Sequence, residues 1–259
     1  AGMMFPNTAW LGQGGNGLSY GPWVSLDILG HEFSHALIKS EGALTCCVAA
    51  EHAAINESFG DIFGTMVESH GEPSTWNYYV GEDVWIEDGK IRDMSNPNAK
   101  LHPDTYHGTY WYTGSDVTDW VHINAGVQNY WFYLLSEGGS GTNDAGYSFN
   151  VSGIGKDKAA RIAYETLVTY LWSTTGYSDM KNASIFRAID LYGLCSNEVA
   201  QTINAWNAVG VSSEYATVIK GIGPLNCMAL HQVHNALQPF TRFFINGMYV
   251  DCAISTNGT

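Results

Sequence analysis

"LGHEFSHALI", residues 29–38, sets two histidines four positions apart with a glutamate directly after the first. The apolar spacing of the surrounding residues 24–42, "VSLDILGHEFSHALIKSEG", predicts an α-helix that stops at Gly42. On a helix, positions i and i+4 lie one turn apart on the same face, so His31 and His35 present their ring nitrogens to one point. Glu32 projects beside them. This is the arrangement of H-E-x-x-H, in which two histidines hold a zinc ion and the glutamate is left free to take a proton from a metal-bound water. The same spacing also fits one packed histidine and one solvated one, so a third ligand decides between the readings.

Residues 53–69, "AAINESFGDIFGTMVES", predict the next helix, with Ile55, Phe59, Ile62, Phe63 and Met66 on one apolar stripe. Glu57 follows His35 by 22 positions. That separation accommodates the rest of one helix, a turn and an antiparallel return, which brings a carboxylate back to the ion. Asp61, at i+4 from Glu57, shares its face and is placed to accept the second ring N–H of a ligating histidine. Both acids interrupt small and apolar surroundings, where a solvated face would carry more charge.

Further helices are expected at "VHINAGVQNYWFYLLSEGG", "KDKAARIAYETLVTYLW", "DMKNASIFRAIDLYG" and "SNEVAQTINAWNAVG", three of them closed by a glycine suited to a helix C-cap. The pattern divides the chain into an irregular, Gly-rich stretch 1–22, a helical lobe 23–211 and an extension 212–259. "MMFPNTAW" in the first stretch reads as an edge-strand fragment, since Pro6 has no N–H for a ladder. In the extension, Asn246-Gly247 between apolar stretches is a two-residue hairpin signal. His231 and His234 stand at i, i+3 without companions and are read as no second metal site.

The 259 residues suffice for a sizeable core, and 25 acidic against 11 basic side chains give a formal charge of -14. Such a surface repels phosphate backbones and anionic membranes, which argues against nucleic acid as a partner. No run of 18 apolar residues occurs, so no membrane span is expected, and the opening "AGMMFPNTAW" lacks the charged start and apolar core of a signal peptide. Only 14% of residues are charged, with Gly, Ser, Thr, Asn and Tyr carrying much of the polarity, a composition that suits an extracellular protein. Five cysteines without C-x-x-C spacing point to disulfides, with Cys227 to Cys252 the first expectation. Adjacent Cys46 and Cys47 are expected to pair with distant partners rather than with each other.

The motifs "HEFSH", "AINESFGDIFG", "VHINAGVQNYWFYLLSEGG", "IGKDKAARIAY", "AIDLYG" and "NAVGV" occur in one order over about residues 7–211. Together they resemble the catalytic lobe of thermolysin-like secreted zinc metallopeptidases. The resemblance implies an α+β, mainly α fold of the zincin type, lacking most of the family's N-terminal β lobe and ending in a short β-rich extension. It implies a secreted zinc endopeptidase acting on peptide or protein substrates, with His31, His35 and Glu57 on the metal and Glu32 as general base. His122 matches the histidine that stabilises the oxyanion, and a hydrogen-bond-donating imidazole suits that task. Arg92 matches a residue that binds the substrate carbonyl, and Asn7 one that binds peptide backbone. Asp27, Glu68 and Glu82 match three calcium ligands, while Asn77 replaces an acidic one. Ile28 and Ile91 would line a pocket for a hydrophobic residue after the scissile bond.

Departures from the family pattern are also present. Val117 stands where relatives carry the Asp that orients the active-site His, leaving Asp116 or Asp119 for that task. Val48 falls near the position of an assisting tyrosine. The β lobe, or a propeptide, is expected as a separate or cleaved partner. A non-catalytic, zinc-stabilised peptide-binding or adhesion module is the rival reading; the free Glu32 beside the metal favours the enzyme, since a structural zinc needs no base.

Overall fold

The computed structural model describes residues 11–15, 21–85, 89–194, 196–211, 242–245 and 248–251. Seven α-helices dominate these residues, and three two-stranded antiparallel ribbons accompany them.

Two helices carry the H-E-x-x-H segment and its partner: α1 (Leu26–Ser40) and α2 (Glu51–Gly71). Asp27 in the first turn and Lys39 in the last complement the α1 dipole. α2 buries Ile55, Phe59 and Ile62 completely, and truncating such a residue as Phe59 costs about 3–5 kcal/mol. The helices meet through glycines. A Cβ at Gly30 would lie 2.8 Å from Gly64 Cα, and one on Gly64 would collide with the Asp27 carbonyl, so both positions must lack a side chain. A Cβ at Gly60 would fall 2.5 Å from His31 Nδ1. The small residues of "SFGDIFG" thus set the helix separation and open the space that the imidazole fills.

A short ribbon, β1 (Tyr79–Val80) and β2 (Arg92–Asp93), pairs Val80 with Arg92 and places the guanidinium beside α2. α3 (Val117–Asn124) and α4 (Gly126–Glu137) replace the single helix expected over "VHINAGVQNYWFYLLSEGG", and α3 begins before that stretch. Asp116 caps α3 by accepting the Asp119 N–H at 3.1 Å. Beyond α4 the chain adds a ribbon where the mainly helical reading placed none. β3 (Gly138–Thr142) and β4 (Ser148–Ser152) form a hairpin with Gly138 opposite Ser152.

α5 (Lys156–Tyr170), α6 (Tyr177–Tyr192) and α7 (Asn197–Ala208) complete the lobe. Trp131 of α4 and Trp206 of α7 stack with ring centres 4.6 Å apart, both fully buried, while Ile162 and Met180 bring α5 and α6 into the same core. Lys181 is also buried, and its Nζ donates to the Val211 carbonyl at 2.8 Å. In the extension, β5 (Arg242–Ile245) pairs with β6 (Met248–Asp251) with Ile245 opposite Met248, the register of a two-residue connection. Asn7, the "MMFPNTAW" fragment, the His231/His234 pair and Cys195, Cys227 and Cys252 lie outside the described residues. No helix among the described residues is long and apolar enough to cross a membrane.

Candidate metal centre

α1 and α2 bring His31, His35 and Glu57 to one point. His31 Nε2 lies 3.1 Å from His35 Nε2 and 3.3 Å from Glu57 Oε2, and His35 Nε2 lies 3.7 Å from Glu57 Oε1. Zinc bonds of about 2.0–2.1 Å at tetrahedral angles separate ligand atoms by roughly 3.3 Å, so the two imidazole nitrogens, each with one Glu57 oxygen beside it, stand near the spacing that one ion needs. Glu57 Oε2 is buried without a hydrogen bond, a cost that a cation would remove. The donor set of two imidazoles and one carboxylate suits zinc and leaves a fourth position to solvent.

The far side of each ring fixes its orientation. His31 Nδ1 donates to Asp61 Oδ1 at 2.9 Å. Asn56 Nδ2 donates to the Leu44 carbonyl at 2.7 Å, which turns Oδ1 toward His35 to accept its Nδ1–H, also at 2.7 Å. Both Nε2 lone pairs therefore point to the triangle.

Asp61 is the hub behind the site. It also accepts from Arg92 Nε at 2.7 Å, Arg92 Nη2 at 2.5 Å and Asn129 Nδ2 at 2.7 Å, while Asn129 accepts from Ser58 at 2.7 Å. Burial alone would raise the Asp61 carboxyl; Arg92 and His31 outweigh it and hold the group well below the usual range. Burial likewise acts to lower His31, but Asp61 and Glu57 carry it up to about 9. Glu57 is opposed by its own burial and held well below the ordinary value by the neighbouring His122 and His31 rings. Arg92, expected to meet a substrate carbonyl, is thus also the counter-ion of Asp61.

Glu32 is nearly inaccessible, and burial pushes its carboxyl up, the direction that strengthens it as a proton acceptor. It faces a cleft of about 770 Å³ that Trp23, Ile28, Cys47, Ile91, His102 and Val121 help to line. His122 borders the same cleft, with Nε2 3.1 Å from Glu57 Oε2. Its Nδ1 donates to the Thr118 carbonyl at 2.7 Å, one turn back on α3. The orienting acceptor is therefore a backbone oxygen, whereas Asp116 caps the helix. Val48 is exposed and offers no donor.

The second acidic cluster differs from the expected trio. Asp27 spends one oxygen on the Ile28 N–H at 2.7 Å and the other on the Gly81 N–H at 2.5 Å. Glu82 accepts from Asn77 Nδ2 at 2.7 Å, so the amide at position 77 satisfies a neighbour that a carboxylate there would repel. The oxygens that converge belong to Glu68, Glu72 and Asp83. Burial, then Glu82, Asp27, Asp83 and Glu72, push the Glu68 carboxyl up to about 8. Sequence reasoning also missed Asn56 and Asn129. Their only sequence signal is an amide inside an apolar helix.

Comparison with known proteins adds lineage to this geometry. Residues 48–211 match the α-helical domain of the thermolysin metallopeptidases. The chain is 37% identical over 216 residues to thermolysin of Alicyclobacillus acidocaldarius subsp. acidocaldarius, covering 80% of this chain and 38% of that protein. It is 37% identical over 191 residues to bacillolysin of Bacillus cereus, covering 72% and 32% respectively. The chain therefore spans well under half the length of these curated relatives. Among solved structures, the precursor of protealysin, a metalloproteinase from Serratia proteamaculans, superposes with a TM-score of 0.62 at 21% identity, covering 78% of this chain and 62% of that one.

Proposed function

The chain belongs to the thermolysin metallopeptidase family, and on that premise we propose that it is the catalytic lobe of a secreted zinc endopeptidase. The observation that carries the reading is the convergence of His31, His35 and Glu57, with a buried carboxylate, Glu32, beside them and not among them. Zinc, when bound, supplies a Lewis acid and an acidified water.

The residues of the chain supply the rest. Glu32 receives a proton at its carboxylate as the nucleophile forms and returns it to the leaving amine. His122, held by its Nδ1–H bond to the Thr118 carbonyl, turns Nε2 into the cleft and as an imidazolium donates to the developing oxyanion. Arg92, braced by Asp61, lines the cleft where a substrate carbonyl would lie. Ile28, Ile91 and Val121 provide an apolar wall that receives a hydrophobic side chain. Glu68, with Glu72 and Asp83, is the calcium candidate, Glu68 being buried with one oxygen unpaired. Asn7 would bind peptide backbone, and a β lobe, joined or separate, would complete the cleft. Secretion is supported by the sparse charge of the chain.

A structural zinc is closed by a fourth protein ligand, which this converging trio does not include, so the module reading is less favoured. Elemental analysis and digestion of a peptide library, with the β lobe present, test the proposal together. Glu32→Gln should retain one zinc per chain and lose hydrolysis by about 100-fold or more. Hydrolysis at the wild-type rate in that variant would end the peptidase mechanism proposed here.

A further inference from the structure

The segment joining α1 to α2 contains the adjacent cysteines, while the distant cysteines expected as their partners lie outside the described residues. Both thiols are unbridged and exposed, and their Sγ atoms lie 2.6 Å apart. That is only roughly half an ångström beyond the bond of about 2.05 Å that would join them. Cys47 has φ of +66°, in the left-handed region that L-residues seldom occupy. This turn folds the two side chains onto one another.

The surroundings hold it in place. The Leu44 and Thr45 N–H groups donate to the carbonyls of Trp172 and Ser173 at 3.2 and 2.9 Å, the Leu44 carbonyl accepts from Asn56, and the first turn of α2 closes on Ala50. Cys47 also lines the cleft that contains His31, His35 and Glu57.

We propose that Cys46 and Cys47 are a reversible vicinal dithiol–disulfide couple in the wall of this cleft, exchanging with low-molecular-weight disulfides such as oxidised glutathione. One cysteine thiolate attacks a glutathione sulfur, forming a mixed disulfide and expelling one glutathione thiolate. The neighbouring thiolate then attacks the cysteine sulfur of that mixed disulfide, forming the Cys46–Cys47 bond and expelling the second glutathione. Two electrons pass to the glutathione disulfide, and the two cysteine protons end on the two released thiols. Reducing glutathione reverses both steps.

Reversibility follows from adjacency. Successive Cα atoms across a trans peptide are about 3.8 Å apart, below the range of about 4.4–6.8 Å that disulfides prefer. A ring closed at that spacing is more reducible than a long-range bridge, so ordinary glutathione ratios set its state. The couple does not depend on peptidase activity.

Trypsin releases residues 40–90 as one peptide, which contains Cys46 and Cys47 and no other cysteine. The full chain is equilibrated with glutathione buffers from reducing to oxidising, alkylated, digested and weighed by mass spectrometry. The expected result is conversion of the doubly alkylated peptide to an unalkylated form two hydrogens lighter than the dithiol, and its recovery on return to reducing buffer. Cys46→Ser should abolish the light form and leave a single alkylated cysteine. The couple is refuted if the wild-type peptide stays doubly alkylated in the most oxidising buffer, carries glutathione on both cysteines, or is found cross-linked to another peptide. The wild-type measurement decides without the variant.

Discussion

His31 Nδ1 and Asp61 Oδ1 lie 2.9 Å apart on the side of the imidazole that faces away from the ligand triangle. The same carboxylate grips Arg92 through two nitrogens, so one buried charge both aims a ligand and neutralises a guanidinium. The pair is fully desolvated on the acid side, where charges are costly unless every lone pair is used. Here His31, Arg92 and Asn129 use them.

Asp61→Asn should therefore damage two properties at once. Loss of the buried counter-ion of Arg92 should cost about 3–5 kcal/mol of stability, read by urea unfolding. Loosening of His31 should weaken zinc affinity by about 10–100-fold, read by competition with a chromophoric chelator. Adding Arg92→Met removes the orphaned charge and should restore part of the stability while affinity stays low. Recovery of affinity in the double variant would mean that Asp61 acts through the fold and not through the ring of His31.

His122→Ala removes a group that touches the site without belonging to the ligand triangle. Zinc content should stay at the wild-type level, kcat should fall on the order of 100-fold or more, and KM should change little. Loss of zinc in this variant would instead reveal His122 as a ligand, which its 3.1 Å approach to Glu57 makes worth measuring.

The central site was legible because helical periodicity fixes what lies on one face. His31 and His35 at i, i+4, and Glu57 and Asp61 at i, i+4, needed only the packing of two helices to meet. The partners of these residues were less visible. Arg92 reaches Asp61 from 31 positions away through a two-residue ribbon, and nothing local in "IRDMSNP" encodes that return. The acceptor for His122 is the Thr118 carbonyl, and a backbone oxygen leaves no mark in a sequence, so attention fell on the nearby aspartates. The β3–β4 hairpin escaped because "GGSGT" has no apolar alternation, and Val151 is the one residue of the two strands that is buried.

Glu68 links the acidic cluster to pH. Its folded value of about 8 lies above the ordinary 4.5, so between those limits the folded state holds more protons than the unfolded one. Stability of the metal-free protein should fall as pH rises through that window. Calcium replaces the proton, and at about 100 times its Kd should raise Tm by roughly 5–10 °C at pH 8 and by much less at pH 5. Glu68→Gln should flatten both dependences. An equal calcium shift at the two pH values would show that the ion binds elsewhere.

Lys181 runs in the opposite direction. It is buried in α6 with its Nζ bonded to the Val211 carbonyl, and burial lowers its value from 10.5 to about 8. Below about pH 8 both states are protonated and the folded protein bears the full cost of a buried ammonium. Between about 8 and 10.5 the unfolded chain keeps the proton that the folded one has lost, so stability from this group rises with pH. Lys181→Met keeps the stem in the core and removes the titration. Measured by urea unfolding at intervals from pH 7 to 10.5, wild type should gain roughly 2–4 kcal/mol on the variant across the series. Other groups titrate there too, the buried Tyr177 hydroxyl among them with its value raised by burial, but they are common to both proteins and cancel in the difference. A difference that stays flat would mean that the ammonium remains charged in the core, held by more than the single carbonyl of Val211.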